Sequence, residues 1–360
     1  MGKRFFPLDQ KLKLRADHWS EGAAQVAARQ GLSARSFGAA AEAYVEATGG
    51  SMSKSSVERI TKGFGAALTE IKAQEAARAI ATSEIGESPR ERRVPLVAPI
   101  NGNGNISSDG VMILVREEGW KETKIATVSE VEVLESDNET RRKAQRSGKR
   151  ANENIVRLKA HSYVAGLWDA DTFAQYQYAE GLRRGLDLVD NLSSVNDGAV
   201  WIERVTGENF GQALQILDWG HSVQYLWAVG NAIYGEGKPA ATQWVNGCQD
   251  DLWTGNIDRV VKALQALHLD QGAYSNDVKR TPAYFATNRD RMRYDVFRDQ
   301  GLPVGSGTVE SGAKNVVQLR LKRPGRGWAR NHVQSMLAAL CELHSDRFAW
   351  AWQQAYHPAA

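Results

Sequence analysis

The apolar residues of this chain change their spacing twice, and those changes bound the fold more tightly than any single motif. Up to about residue 80 they recur every three to four positions. Phe37, Ala40, Tyr44 and Val45 form one stripe and Val57, Ile60, Phe64 and Leu68 another, as in helices with one buried side. From residue 106 they come in short β-branched runs. Ile106-Ser107-Ser108-Asp109, Val111 to Val115, and Thr123 to Val133 predict three strands of an antiparallel meander, with a Glu117-Glu118-Gly119 turn between the last two. A helical segment from about Asp169 to Leu188 precedes a fourth predicted strand, Ala199-Val200-Trp201-Ile202, and a fifth, Leu214 to Leu217, that ends on Asp218. From Trp219 to about Gln300 the spacing is helical again, through Val223, Leu226 and Trp227 and then Val260, Val261, Leu264 and Leu267. A meander followed by strands separated by helices predicts one mixed α/β sheet. The long helical block after the fifth strand reads as an insertion into that sheet's connectivity, with a separate domain as the alternative.

Pro89, Pro95 and Pro99, set among Arg90, Glu91, Arg92 and Arg93 and followed by Asn101-Gly102-Asn103-Gly104-Asn105, predict an extended linker and a boundary near residue 100. With 42% apolar residues and 11 Trp in 360, the chain has ample material for a sizeable core. It has no apolar run of the roughly 18 residues that a bilayer requires. Its start, Met1-Gly2-Lys3-Arg4-Phe5-Phe6-Pro7, has neither the apolar run of a signal peptide nor the Ser or Thr at Phe6 that myristoylation wants. An intracellular protein without a membrane partner is expected. Cys248 and Cys341 make neither a disulfide framework nor a CxxC pair and are expected to be buried apolar residues.

The net charge of +3 hides an uneven distribution. Residues 141–150 hold Arg141, Arg142, Lys143, Arg146, Lys149 and Arg150 with no acid, and residues 311–330 hold Lys314, Arg320, Lys322, Arg323, Arg326 and Arg330 with none either. The two windows carry +12 against a total of +3, leaving −9 elsewhere. Such clusters suit a polyanion; two solvated basic faces are the alternative. Near the N-terminus, Gly49-Gly50-Ser51 separates two helical stripes, and Ser55 with Glu58 forms an S-x-x-E capping box. A helix-turn-helix would present Lys54, Ser55, Ser56 and Arg59 to DNA; an ordinary helical bundle has the same pattern.

Three acids stand where strands end or a helix begins. Asp109 closes the first predicted strand and Asp218 the fifth, and those two strands are expected to be neighbours. Glu310 lies on a helix whose apolar positions Val309, Ala313, Val316 and Val317 leave it at the border of the packed side. Carboxylates without Cys suit Mg²⁺ or Mn²⁺, and two such ions about 3.5–4 Å apart can act on both sides of a phosphodiester. Each acid also has a plainer role: Asp109 before Gly110 starts a turn, and Glu310 pairs with Lys314 one helical turn on.

Taken in order, Ser108-Asp109-Gly110-Val111-Met112, Gly119-Trp120-Lys121-Glu122, Asp218-Trp219-Gly220-His221 and Gly305-Ser306-Gly307-Thr308-Val309-Glu310-Ser311 resemble the signatures of bacterial insertion-sequence transposases of the ISKra group. Lys322-Arg323-Pro324-Gly325 with Trp328 is similar to the basic tail that follows the catalytic Glu in those proteins. The resemblance spans roughly residues 100–352. It implies a DDE-type transposase that cleaves transposon ends and joins them to target DNA through Asp109, Asp218 and Glu310 and two Mg²⁺ or Mn²⁺ ions. It also implies an RNase H-like core at 105–220 and 303–360, a helical insertion at 221–302, and an all-α DNA-binding region at 1–85 followed by a linker at 86–104. Asp218-x-x-His221 looks like the D-x-x-H motif of Mutator-type transposases. His221 is thereby expected to contact a phosphate or orient the second Asp, or else simply to cap or pack its helix. Lys54, Arg59, Lys314, Arg320, Lys322, Arg323, Arg326 and Arg330 are the expected DNA contacts, with Trp219 and Trp328 packed in the core or stacked on an unpaired base. Terminal inverted repeats and target DNA are the expected partners, bound by a homodimer in the bacterial cytoplasm at the nucleoid. The Cys-rich zinc segment common in such families is missing here. An RNase H-like nuclease without strand transfer, or a domesticated DNA-binding protein, remains the alternative.

Overall fold

The β-branched runs fold as two long strands. β1, Asn103–Val115, absorbs both of the first two predicted strands, and β2, Gly119–Leu134, returns antiparallel to it, with Val115 opposite Gly119 and Asp109 opposite Ile125. Asp109 therefore lies within a strand and not at its end. Gly119 turns the hairpin at a positive φ of 77°. The computed structural model describes residue 14 and residues 19–84, 94–134 and 155–357; the basic window at 141–150 and Pro89 lie outside them.

β3, Ile155–Gly166, had no counterpart among the predicted strands; it pairs antiparallel with β2 through an irregularity between Val128 and Glu130. After helix α4, Ala170–Arg183, comes β4, Leu192–Asn196. The expected strand at 199–202 is instead the start of helix α5, Val200–Asn209. β4 carries only two apolar residues, yet all five are buried, and its polar side chains are bonded: Ser193 Oγ donates to Asn105 Oδ1 of β1 at 3.0 Å and Asn196 Nδ2 to Ser194 Oγ at 2.8 Å. A central strand so satisfied shows no polar–apolar alternation. β5, Leu214–Leu217, completes a mixed sheet in the order β3-β2-β1-β4-β5, with β4 parallel to both of its neighbours. β1 and β5 are thus separated by β4, contrary to expectation.

Among the described residues three helices precede the sheet: α1, Glu21–Ser33; α2, Phe37–Thr48; and α3, Lys54–Glu84. Ser20 and Ser36 cap the first two, and Gly49 ends α2 in the left-handed region. Ser53, not Ser55, accepts from Ser56 N at the start of α3, and Glu58 pairs with Lys62 at 2.5 Å. After β5 come α6, Trp219–Tyr234; α7, Pro239–Trp253; α8, Ile257–Gln265; α9, Asn276–Thr287; and α10, Tyr294–Asp299. Their apolar sides build a core of their own with Val195, Ile216 and Leu217 of the sheet. α11, Gly307–Gly312, continues into a π-helical segment, Ala313–Gln318, and a last turn, Leu319–Leu321. α12, Arg330–His344, and α13, Phe348–Tyr356, close the chain.

The main core crosses the position near residue 100 where a boundary was expected. Val57, Ile60, Phe64 and Leu68 of α3 pack in one cluster with Val111 and Ile113 of β1, Val316 and Val317 after α11, and Leu337 and Trp352 of the last two helices. Both cysteines are free and buried, as expected. Among the described residues no helix is long and apolar enough to cross a membrane.

Candidate active site

Successive residues of a strand face opposite ways, so Asp109 shares a side with Val111, Ile113 and Val115, the side packed by α11 and α12. The offset that pairs Gly104 with Leu192 and Asn105 with Ser193 persists beyond that ladder, where Ser108 N donates to Asn196 Oδ1 at 2.7 Å. One residue further along each chain stand Asp109 and Asp197. These two aspartates, His221, Glu310, Ser108, Ser306 and Val309 line a cavity of about 190 Å³.

The carboxylates sense one another. Burial raises the Asp109 carboxyl to about 6; the 2.7 Å hydrogen bond from Gly110 N opposes this, and Asp197 and Glu310 add to it. Glu310 is exposed at the rim and receives Ser306 Oγ at 3.4 Å, while Val309, Ala313, Val316 and Val317 are buried beneath it as expected. Lys314 makes no ion pair with Glu310 among the described residues.

Asp218 occupies a different place. It is 4% exposed and does not line the cavity. Its Oδ1 accepts from His221 N at 2.7 Å, capping α6, and meets His221 Nδ1 at 3.1 Å; its Oδ2 accepts from Ser306 N at 2.5 Å. Burial alone would raise its pKa, but the hydrogen bonds from His221 and Ser306 outweigh burial and lower it. Asp218 thus fastens the start of α6 to the loop that leads into the Glu310 helix, a tie doubled by Trp219 N donating to Val304 O at 2.9 Å. The bond to Asp218 raises the pKa of His221 against the opposing effect of burial, with Asp197 and Glu310 adding to the rise. The helix cap is therefore the Asp218 carboxylate, and the His221 ring packs against that same oxygen at the start of α6.

No protein-family model matches the chain, and no curated protein matches its sequence. The site is therefore weighed on its own chemistry. As the side chains are placed, no three His, Cys, Asp or Glu among the described residues stand close enough to share one metal ion. The donor set nevertheless fits a hard divalent cation: three carboxylates surround one cavity, and two of them raise the pKa of the third, a repulsion that such a cation would relieve.

Asp197 was not among the expected acids because the fourth strand was placed a few residues too late. The available signal was the Asp-Gly pair. Asp109-Gly110 and Asp197-Gly198 both follow buried strand residues, and Gly198 holds a φ of 88° where a Cβ would meet Tyr284 and Leu217.

Of the eight expected DNA contacts, the structure gathers Lys54, Arg320 and Arg326 around one groove of about 600 Å³. Arg320 is buried, and its Nε donates to Gly31 O at 3.3 Å. Arg330 is held by Glu118 through bonds of 2.5 and 2.7 Å. Arg323 Nε bonds Leu319 O at 2.8 Å, and Lys322 lies 5.9 Å from the centre of the Trp120 ring. Arg59 and Lys314 are exposed and do not line that groove. Trp219 packs between Trp253 and Tyr294, whereas Trp328 is half-buried beside Phe37.

Proposed function

We propose that this protein is a divalent-metal-dependent DNA transposase of the DDE type, related to the ISKra group, with an RNase H-like core. The observation that carries the proposal is the single cavity lined by Asp109, Asp197, Glu310 and His221 at the junction of β1, β4 and α11. The mixed sheet order is compatible with such a core, and the motif order along the chain supports the family reading. Asp109, Asp197 and Glu310 replace the expected trio as the metal-holding acids, and Asp218 acts as a positioning residue. Mg²⁺ or Mn²⁺, when bound, supplies charge compensation at a phosphodiester and eases formation of an attacking oxygen. The protein's own groups do the rest. The carboxylates hold the site, His221 donates toward the scissile strand, and Asp218 keeps His221 and the Ser306–Glu310 turn in register. Water and a DNA 3′-hydroxyl would serve in turn as nucleophile, giving cleavage and then joining. A homodimer would bring two transposon ends together.

The test is incubation with DNA bearing the sequences that flank the gene, in Mg²⁺ or Mn²⁺, followed by separation of nicked and joined products. Joined products lost in Asp197→Asn support the assignment. Nicks alone would make the protein a nuclease, and neither product would make it a DNA-binding relic.

A further inference from the structure

A second concavity lies at the C-terminal end of β1. It is the groove of about 600 Å³ formed by the starts of α2 and α3, Arg116 after β1, and the segment between α11 and α12. That segment is clipped onto the strand, with Trp328 N donating to Leu114 O at 3.1 Å and Arg116 N to Trp328 O at 3.0 Å. Asp109 and Arg116 are seven residues apart on an extended strand, so the groove lies about 20 Å from the acidic cavity.

Its charge is one-sided. Lys54, Lys62, Arg116, Arg320 and Arg326 face one carboxylate, Glu58, which Lys62 already holds at 2.5 Å. Arg320 is only 5% exposed, and its Nη2 has no hydrogen-bond partner among the described residues. Its guanidinium lies 4.5 Å from the Phe37 ring centre and 5.1 Å from that of Trp328. A buried cation left short of an acceptor is costly unless something else supplies one. Burial lowers the Arg320 pKa to about 10, with Arg326 and Arg323 adding to it; burial, Lys62 and Arg116 likewise lower that of His332. At both groups burial and the neighbouring cations outweigh the acids that oppose them, Glu58 at Arg320 and Glu58 with Glu117 at His332.

We propose that this groove is a metal-independent site for one unpaired deoxynucleotide of a DNA strand. Its phosphate is held by Lys54, Arg116 and Arg326, and its base lies against Trp328 and Phe37 beside Arg320. Cations with an aromatic wall in a concave site match the two faces of a single-stranded nucleotide, an anionic backbone and a flat π surface, better than they match the convex backbone of a duplex. About 20 Å of strand corresponds to roughly six nucleotides at 3.4 Å each, so the site would grip a frayed end on one side of the cut. The proposal rests on the DNA reading of the cavity, but its test reads binding and not cleavage.

The full chain is titrated in EDTA with a labelled single-stranded oligonucleotide, its duplex, a deoxynucleoside monophosphate and inorganic phosphate. The single strand is expected to bind more tightly than the duplex, and the monophosphate to raise the His332 pKa followed by NMR. The K54A/R326A double substitution, at two exposed positions, is expected to weaken single-strand binding about tenfold, with the salt slope reduced by roughly 0.7 per cation removed. Equal effects of inorganic phosphate and the mononucleotide on His332, or duplex bound as tightly as single strand, would overturn the nucleotide site. So would unchanged affinity in K54A/R326A. Loss of groove binding with metal-dependent cleavage retained, or the reverse, tells failure of this site from failure of the catalytic reading.

Discussion

At the scale of the residue, half-buried Asp109 and buried Asp218 behave oppositely. A carboxyl raised from 3.8 to about 6 keeps a proton in the folded chain that the unfolded chain has released, so Asp109 makes stability fall as pH rises through that window and leaves it lower above it. Asp109→Asn is expected to raise stability at pH 8 by about 1–2 kcal/mol, discounted for the part of the group that water reaches, while abolishing cleavage. Denaturant unfolding at pH 4 and pH 8 measures it; an equal change at both would reject the raised carboxyl. Asp218, whose pKa is lowered, contributes stability that is present above the ordinary aspartate pKa and lost as pH falls through its own. Asp218→Ala leaves His221 N and Ser306 N without their acceptor and uncaps α6, for a loss of about 1–3 kcal/mol. The same change should lower the His221 pKa, which NMR titration reads, because the bond to Asp218 is the main cause of its rise. An unshifted His221 would remove Asp218 from the positioning role.

At the scale of the element, what was legible followed from periodicity. The helical stripes of α2 and α3, the hairpin of β1 and β2, and the buried side of α11 have apolar residues at helical or strand spacing, and they fold accordingly, except that Val45 of the α2 stripe is exposed. β4 was illegible because its burial is made tolerable by Ser193 and Asn196 bonding across to β1, with Asn196 also satisfying Ser194, a pairing visible only once both strands are placed. That one misplacement hid Asp197. Close approaches between helices were equally invisible. A Cβ on Gly65 of α3 would stand 2.0 Å from Ser335 O of α12, and a backbone atom cannot rotate away. Gly65→Ala is expected to separate α3 from α12 and cost about 1–3 kcal/mol. A thermal melt indistinguishable from wild type would show that the two helices do not meet so closely.

At the scale of the whole molecule, the N-terminal helices are bound to the sheet and the C-terminal helices by more than apolar contact. Arg347 Nη1 reaches Glu180 Oε1 of α4 at 2.8 Å and its Nε reaches Glu342 Oε2 of α12 at 2.8 Å. Lys72 of α3 meets Glu342 at 2.5 Å, and Arg183 bridges Glu180 at 3.3 Å and Glu75 of α3. Burial alone would raise both Glu180 and Glu342, yet Arg347, helped by Lys72 and Arg183, holds them below the ordinary glutamate range. Their contribution is therefore present above that range and lost as pH falls through the lowered values. Arg347→Met would leave two buried carboxylates with only Lys72 and Arg183, so a loss of about 3–5 kcal/mol is expected, together with acid unfolding at a higher pH. Because α3 shares both this cluster and the main core with β1 and α12, backbone amides of α3 and α12 should lose hydrogen-exchange protection together. Lost protection confined to α12 and α13, with α3 unaffected, would show that the N-terminal helices fold as a unit apart and that the cluster merely touches them.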